Sequence, residues 1–295
     1  MSLKIKPMLC QEAEQENEDA SSCKAFHLPG YVWETKFDGA RIVDTIKADG
    51  SFELQGRFGA DKTKLFPELK FNTKIPCVLD GEIISGSSFN DIQHRINRQS
   101  GIEMAAKTRP TTFKAFDILQ ADYHGNTIDL RHSPLEKRRE ALEEIVLPTE
   151  SCELSEMTDD GLALFLKIRD EGGEGVVGKN IHGHYVENKR EWLKVKTWQF
   201  GVFQAVGYTE GTGWRKSSFG ALALVDTDNG FVGEVGTGFK AQDIRDIQSY
   251  FSPGVCPWSK DPIKATWIKP FSVRIRYLEF TADGKLRFPS YRGII

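Results

Sequence analysis

The chain has 295 residues and a net charge of −3; 39% of its residues are hydrophobic and 27% are charged. This is ordinary globular composition, enough for one large domain or two moderate ones, and it carries no overall basic charge of the kind that marks a nucleic-acid binder. Five dispersed cysteines without a CxxC pair argue against a disulfide scaffold or a zinc site, and no apolar run approaches a membrane span or a signal peptide, so we expect a cytoplasmic protein.

Strands dominate the first part of the chain. Apolar runs bounded by turn residues predict strands in "YVWETKFDGARIVDTIK", "SFELQGRFG" and "CVLDGEII". A short basic helix is predicted over residues 88–100, "SFNDIQHRINRQS", and a further strand in "TTFKAFDILQ".

Two helices with boundary signals follow. "SPLEKRREALEEIV" predicts a helix with Ser133 as the N-cap, Pro134 at the first helical position and Glu136 completing a capping box. "TDDGLALFLKIRDEGG" predicts a second helix that ends at Gly172-Gly173. Strands are then expected in "EGVVGK" and "EWLKVKTWQF".

The pattern changes near residue 199. Short strands alternate with turns, among them the hairpin dipeptides Asn229-Gly230 and Asp283-Gly284, and one helix, "AQDIRDIQSYF", interrupts them. About five short strands with one inserted helix predict a small closed barrel of the OB type. We therefore predict an α+β protein, with antiparallel sheets and helices over residues 1–198 and an OB-fold domain over residues 199–295.

Several charged residues lie on strands that are otherwise apolar. In "EWLKVK" the two lysines are two residues apart, so they share one face of a strand while Leu193 and Val195 face a core. Isolated charges on buried strands are costly, so a common polar pocket for a polyphosphate and a divalent cation explains them best. The residues concerned are Lys36, Arg57, Glu82, Glu174, Lys194 and Lys196.

"KFDGAR", residues 36–41, resembles the KxDGxR motif of the covalent nucleotidyltransferases. The segments that follow, "GRFG", "LDGEII", "FKAFDIL", "EGVVGK" and "WLKVK", are similar in kind and order to those of ATP-dependent DNA ligases. "GYTEGTG", "GEVGTGF" and "TWIKP" resemble the OB domain of the same family, so the resemblance covers roughly residues 30–292. It implies a nucleotidyltransferase (adenylation) domain followed by an OB-fold domain.

The resemblance also implies a chemistry. Lys36 would attack the α-phosphate of ATP and form a lysyl–AMP intermediate, a step that needs the unprotonated amine, which burial and nearby cations favour. Asp38-Gly39 would form the turn that presents Lys36. AMP would then pass to the 5′-phosphate of a nick, and the 3′-hydroxyl would displace it.

The other implied roles concern the nucleotide and a metal ion. Lys194 and Lys196 would hold the α-phosphate, Glu34 the adenine amino group, and Phe116 would stack on the base. Glu82 would meet the ribose, and Glu174 together with Glu82 would hold Mg²⁺. The complete implied nucleotide set is Glu34, Arg41, Arg57, Glu82, Phe116, Lys179, Lys194 and Lys196. Within this set, Lys179 is expected either beside the phosphates or in a simple surface role. Asp117 is expected to serve as a turn or hydrogen-bond cap.

The implied partner is nicked double-stranded DNA, bound by a monomer through salt-sensitive phosphate contacts. Candidate DNA contacts are Arg41, Arg57, Arg95, Arg98, Arg215, Lys216, Lys269, Arg274, Arg287 and Arg292. The family's last motif closes with Arg-x-Asp-Lys, whereas the corresponding segment here reads "GKLRFPSYRGII", which leaves ATP-dependent self-labelling open to test. Three other functions also stay open: an RNA ligase, a capping-type guanylyltransferase, and a non-catalytic nick-binding module.

Overall fold

The computed structural model describes residues 4–15, 19–86, 89–259 and 262–295. The chain forms two compact units, residues 1–196 and 197–295, which divide two residues before the boundary predicted from the sequence. In the part of the chain that the structure describes, no helix is long and apolar enough to cross a membrane.

The first unit combines strands with four α-helices among its described residues. In chain order, the strands are β1 (Leu9–Glu12), β2 (Tyr31–Thr35), β3 (Ala40–Ile46), β4 (Phe52–Gly56), β5 (Asn72–Thr73), β6 (Cys77–Ser85), β7 (Thr111–Tyr123), β8 (Asn126–Asp129), β9 (Val146–Leu147), β10 (Cys152–Leu154), β11 (Met157–Thr158), β12 (Gly175–Asn180) and β13 (Arg190–Lys196). The helices are α1 (Phe89–Ile96), α2 (Ile102–Thr108), α3 (Leu135–Ile145) and α4 (Gly161–Asp170).

Two main sheets pack face to face in this unit. One has the strand order β1-β13-β12-β2-β11, and the other β10-β7-β6-β3-β4 with β8 beside β7. Most neighbours are antiparallel, as expected, but β1 runs parallel to β13 and β10 parallel to β7. Apolar residues from both sheets, including Val43, Val78, Phe116 and Trp192, meet in the layer between them. The strands that carry the predicted chemistry therefore face one another.

The helices begin and end partly where the sequence predicts. The basic helix is α1, and α4 begins after Asp160, whose side chain accepts a hydrogen bond from the Ala163 N–H at 2.9 Å. Gly172 follows α4 with φ +76°, as expected for a helix stop. Helix α2 was not predicted.

The predicted start of α3 is wrong. Pro134 is the N-cap residue, with an extended ψ of 156°, so the helix begins at Leu135 and the capping box is not formed. The Leu135 and Glu136 N–H groups instead donate to the carbonyl oxygens of Gly183 and Ile181 at 3.0 and 2.9 Å. A neighbouring loop thus satisfies the free helix N–H groups in place of a side-chain cap.

The described residues of the second unit form one five-stranded sheet and one α-helix. Its elements are β14 (Gln199–Glu210), β15 (Phe219–Val225), β16 (Phe231–Val235), α5 (Ala241–Gln248), β17 (Thr266–Tyr277) and β18 (Ser290–Ile294). The strand order is β16-β15-β14-β17-β18, and Ile244 and Ile247 of α5 join its core.

The closed barrel predicted for this unit is only partly present. The edge strands β16 and β18 share no continuous ladder among the described residues. Isolated bonds join the two edges instead, from the Leu286 N–H to Val232 O at 2.9 Å and from the Tyr291 N–H to Thr237 O at 3.0 Å. Because no continuous ladder joins β16 to β18 among the described residues, the sheet stays open along most of this seam, and the strand and helix content agrees with an OB fold.

Candidate functional site

A cavity of about 550 Å³ opens in the first unit where β2, β3 and β13 meet. The sequence-predicted nucleotide residues all line it: Glu34, Lys36, Arg41, Arg57, Glu82, Phe116, Lys179, Lys194 and Lys196. Glu174 lies directly behind them, in contact with Lys36. The structure therefore brings the predicted nucleotide and metal residues into one place.

Backbone contacts fix the position of Lys36. The Lys36 N–H donates to Gly175 O at 2.9 Å, which sets the lysine beside the start of β12. A Cβ on Gly39 would lie 2.2 Å from Ile83 O, so only glycine fits the turn after Lys36. Gly175 has φ +135°, and a Cβ there would lie 2.1 Å from Val195 O. Gly39 thus lets the turn before β3 lie close to β6, and Gly175 lets β12 lie close to β13, on either side of the lysine.

Glu174 joins two lysines. One carboxylate oxygen contacts Lys36 Nζ, and the other lies 2.7 Å from Lys196 Nζ. Burial opposes the charge on Glu174, but Lys36 and Lys196 together outweigh it and lower the pKa of this carboxyl. Glu174 is therefore ionised near neutral pH and holds both amines toward one point of the cavity.

Lys194 shares the face of β13 with Lys196. Its Nζ lies 3.8 Å from the carboxylate of Glu12 on β1. Burial, together with the neighbouring Lys196 cation, lowers the pKa of Lys194. Leu193 and Val195 point the other way, into the core against α4, as the alternation predicts.

A second ion pair lies at the floor of the cavity. Lys179 Nζ donates to Glu34 Oε1 at 2.7 Å and to Phe116 O at 3.2 Å, and both charged side chains are almost fully buried. Lys179 was expected either beside the phosphates or at the surface, but it is buried and paired with Glu34 under the Phe116 ring, whose centroid is 4.5 Å from Nζ. This lysine therefore supports the wall and is separate from the Lys36–Glu174–Lys196 group.

An aromatic wall, formed by Phe116 and Trp192, closes one side of the cavity. The two rings meet edge to face with centroids 5.9 Å apart. The Arg41 guanidinium lies 4.5 Å from the Phe116 centroid and 5.1 Å from that of Trp192. Asp80 accepts from Arg41 Nε at 2.5 Å and from Nη2 at 2.6 Å. Arg41 was expected to reach DNA, but the buried Asp80 carboxylate accepts two hydrogen bonds from it and holds it against the wall.

Glu82 lies opposite Arg41 on the neighbouring strand β6. Burial raises the pKa of Glu82 to about 7, although Arg41 and Lys36 act in the opposite direction. Among the described residues, no group of three or more His, Cys, Asp or Glu side chains could hold a metal ion. Glu82 and Glu174 thus offer two carboxylates, a set that suits a Mg²⁺ ion whose remaining ligands are phosphate oxygens and water.

Arg57 lies at the rim of the cavity on a tight loop. The Gly56 N–H donates to Ala60 O at 2.8 Å, and Gly59 has φ +85°. Arg57 is exposed, and its neighbour Phe58 is 93% exposed. The loop therefore presents a cation and an aromatic ring to solvent at the edge of the site.

The remaining predicted DNA residues differ in exposure. In the first unit, Arg98 is exposed, but Arg95 is 3% exposed, donates to Leu65 O at 2.7 Å and pairs with Glu68. Arg95 therefore serves the interior of the unit, and we omit it from the proposed DNA surface.

In the second unit, some of the predicted DNA residues are held by protein groups. Arg215 donates to the carbonyl oxygens of Gly220 and Gly236, and Arg287 pairs with Glu279 at 2.6 Å. The residues whose side chains are exposed are Lys216, Lys269, Arg274 and Arg292.

Sequence reasoning missed the supports behind the site. Trp192 shares a strand face with Lys194, and Asp80 shares one with Glu82, so strand alternation could have identified both. Tyr185 lies in a loop, where no periodic signal marks it. Asp117 was expected to cap a turn; it does accept from the Ile118 N–H, but it also forms a fully buried ion pair with Arg138 at 2.7 Å.

Two family models cover most of the chain. Residues 7–196 match the model described as ATP dependent DNA ligase domain, and residues 215–294 match the one described as ATP dependent DNA ligase C terminal region. A Mycolicibacterium smegmatis relative, "Multifunctional non-homologous end joining protein LigD", is 31% identical over 98% of this chain and 38% of its own length. An Archaeoglobus fulgidus "DNA ligase" is 30% identical over 97% of this chain and 54% of its own length. The chain thus spans 38 to 54% of the length of these two relatives.

Solved structures show the same architecture. The ligase domain of Mycobacterium tuberculosis LigD is 26% identical, with a TM-score of 0.53 over 99% of this chain and 95% of that one. A Lig E DNA ligase gives a TM-score of 0.66 over 98% of this chain and 99% of that one, and at 18% identity it supports the fold alone.

Proposed function

The chain belongs to the ATP-dependent DNA ligase family, and we propose that it seals 5′-phosphate/3′-hydroxyl nicks in duplex DNA through a lysyl–AMP intermediate. One observation carries the proposal: Lys36, the lysine of the KxDGxR motif, lines the cavity and shares the Glu174 carboxylate with Lys196. A nucleophile, an anion and further cations thus meet at one point.

In the first step, Lys36 Nζ attacks the α-phosphorus of ATP. A nitrogen–phosphorus bond forms, the bond to the bridging oxygen of the β-phosphate breaks, and pyrophosphate leaves. The amine must first lose a proton, and Glu174, in direct contact with Nζ, is placed to accept it. Lys196 and Lys194 face the negative charge that develops on the α-phosphate.

The nucleotide is oriented by the floor and the aromatic wall. Phe116 offers a ring for stacking on adenine. One Glu34 oxygen accepts from Lys179, and the carboxylate can also accept a hydrogen bond from the adenine amino group. Glu82 is placed for the ribose. Glu174 and Glu82 would hold Mg²⁺, which when bound supplies positive charge to the phosphates.

The later steps involve the nick. The 5′-phosphate takes AMP from Lys36, and the 3′-hydroxyl then displaces AMP to close the strand. We propose that Arg57 at the cavity rim contacts the nick and that exposed cations on each unit contact the phosphate backbone; these are Arg98, Lys216, Lys269, Arg274 and Arg292. Protein groups already hold Arg215 and Arg287, so these two residues are weaker candidates for DNA contacts. A monomer suffices for this arrangement, since the first unit alone supplies the cavity.

The test is incubation with labelled ATP and Mg²⁺, followed by nicked duplex. We expect label on the wild-type protein, its transfer to the 5′ end, and sealing. Lys36→Ala should show none of these, whereas Lys47→Ala, a substitution of an exposed lysine paired with Glu53 on the same unit, should behave as wild type. Labelling by GTP in preference to ATP would favour a capping-type enzyme. Sealing confined to RNA would favour an RNA ligase, and nick binding without any label on the protein would favour a binding module.

A further inference from the structure

We propose that Tyr185 is a positioning residue for nucleotide binding, whose hydroxyl holds the Asp80 carboxylate that fixes Arg41 against the aromatic wall. This inference rests on the proposed function, because it concerns how the same cavity takes ATP. Tyr185 and Asp80 do not line the cavity; they lie behind its wall.

The contacts form a continuous chain. The Tyr185 hydroxyl donates to Asp80 Oδ2 at 2.5 Å and accepts from the Met8 N–H at 3.0 Å. Asp80, which is fully buried, accepts from two nitrogens of Arg41. The Tyr185 ring also meets Trp192 edge to face, with centroids 5.9 Å apart. Tyr185 thus connects three residues that line the cavity: its hydroxyl reaches Met8 directly and Arg41 through Asp80, and its ring contacts Trp192.

Tyr185 itself is held from the opposite side. Its N–H donates to Arg131 O at 2.9 Å, and the Arg138 guanidinium lies 5.8 Å from its ring centroid. Arg138 is locked in turn by the buried Asp117. These contacts fix the position of the Tyr185 side chain. Its hydroxyl can therefore hold the Asp80 carboxylate in one place.

The charge arrangement requires a neutral donor at this point. Burial, together with the neighbouring Asp80 carboxylate, raises the pKa of Tyr185 well above its ordinary value, so the hydroxyl keeps its proton. A phenylalanine would leave the Met8 N–H without this acceptor and Asp80 with one donor fewer. Buried polar groups that lose a partner rearrange or stay unpaired at a cost. Both ends of the wall would loosen, while Lys36 and Glu174 would keep their own contacts.

The experiment compares Tyr185→Phe with wild type in the rate of AMP attachment as a function of ATP concentration. We expect the KM for ATP to rise about tenfold, equivalent to about 1.4 kcal/mol, and the limiting rate at saturating ATP to change much less. Tyr31→Phe, a hydroxyl deletion on β2 of the same unit, should keep the wild-type KM. A general loss of stability would lower the limiting rate through the folded fraction but would leave KM unchanged.

A double-mutant cycle with Asp80→Asn tests whether Tyr185 acts on ATP binding through Asp80. Asp80→Asn should raise the KM by itself, and adding Tyr185→Phe should then raise it less than twofold further. If Tyr185→Phe does not fold, the KM of Asp80→Asn for ATP still tests whether this carboxylate supports nucleotide binding. An unchanged KM in both single variants, or fully additive effects in the double variant, would overturn the inference while wild-type labelling keeps the proposed function intact. Absence of labelling in the wild type would instead overturn the proposed function.

Discussion

Asp44 should make the stability of the first unit depend on pH. It lies on β3 between Ile42 and Ile46, on the strand face that packs into the largest core of this unit. It is 0% exposed, and neither carboxylate oxygen has a hydrogen-bond partner among the described residues. Burial raises the pKa of Asp44 well above its ordinary value. Among the described residues, Asp44 interacts with the Cys77 and Cys152 thiols, whose pKa values of about 12 keep them neutral.

The magnitude follows from proton linkage. The unfolded chain releases the Asp44 proton above pH ~4, whereas the folded unit retains it up to its raised pKa. Within that window, the free energy of unfolding falls by about 1.4 kcal/mol per pH unit because of this group. Asp44→Asn has nearly the same shape and does not titrate, so the difference between variant and wild type should grow at that slope as pH rises from about 4.5.

The assay is urea unfolding at several pH values, followed by the fluorescence of the buried Trp33 and Trp192. Asp159→Asn, a substitution of an exposed aspartate in the same unit, should follow the wild-type curve at every pH. A constant difference between Asp44→Asn and wild type from pH 4.5 to 6 would mean that Asp44 is ionised in the folded protein, and the reasoning from burial would be refuted.

Four further outcomes are expected. Glu174→Gln should lower the single-turnover rate of AMP attachment by about a hundredfold or more, since it removes the anion that holds two lysines; retention of the rate would contradict this. The rate of AMP attachment should rise with pH through about 7 as Glu82 ionises. The Glu82→Gln variant should attach AMP more slowly and without that rise when the rate is measured at several pH values. Arg138→Ala should lower the free energy of unfolding in urea by about 3–5 kcal/mol, because it leaves the Asp117 charge buried and unpaired. Arg274→Ala should weaken nicked-DNA binding and reduce the slope of log affinity against log salt by about 1, whereas an unchanged slope would place this residue away from DNA.

The gathering of charged side chains at one cavity could be predicted from the sequence, because strand alternation and the resemblance of the KxDGxR segment to a known motif both indicated these residues. Lys194 and Lys196 lie two residues apart and share a face, and Asp38-Gly39 is a turn dipeptide. These are local properties, visible in a few letters. The order of the strand and helix segments likewise indicated the α+β class and the two-unit division.

The partners of charged residues could not be predicted in the same way. Arg95 and Arg98 are three residues apart in one basic segment, yet the first is buried against Glu68 and the second is exposed. Arg41 and Lys179 are drawn to Asp80 and Glu34, which are 39 and 145 residues away in sequence. Ser133 fails as a cap because a distant loop supplies the carbonyl oxygens. In each case a long-range contact overrides the local signal.

The pairing of β1 with β13 has a consequence for biosynthesis. Leu9 is aligned with Arg190, so this parallel ladder joins residues 181 positions apart. Contacts of such high sequence separation form late, because the whole intervening loop must be closed first. On the ribosome, the strand bearing Lys194 and Lys196 emerges long after Met8 and Cys10, which must wait for it. The nascent chain therefore cannot assemble the nucleotide cavity until nearly the whole first unit has been translated.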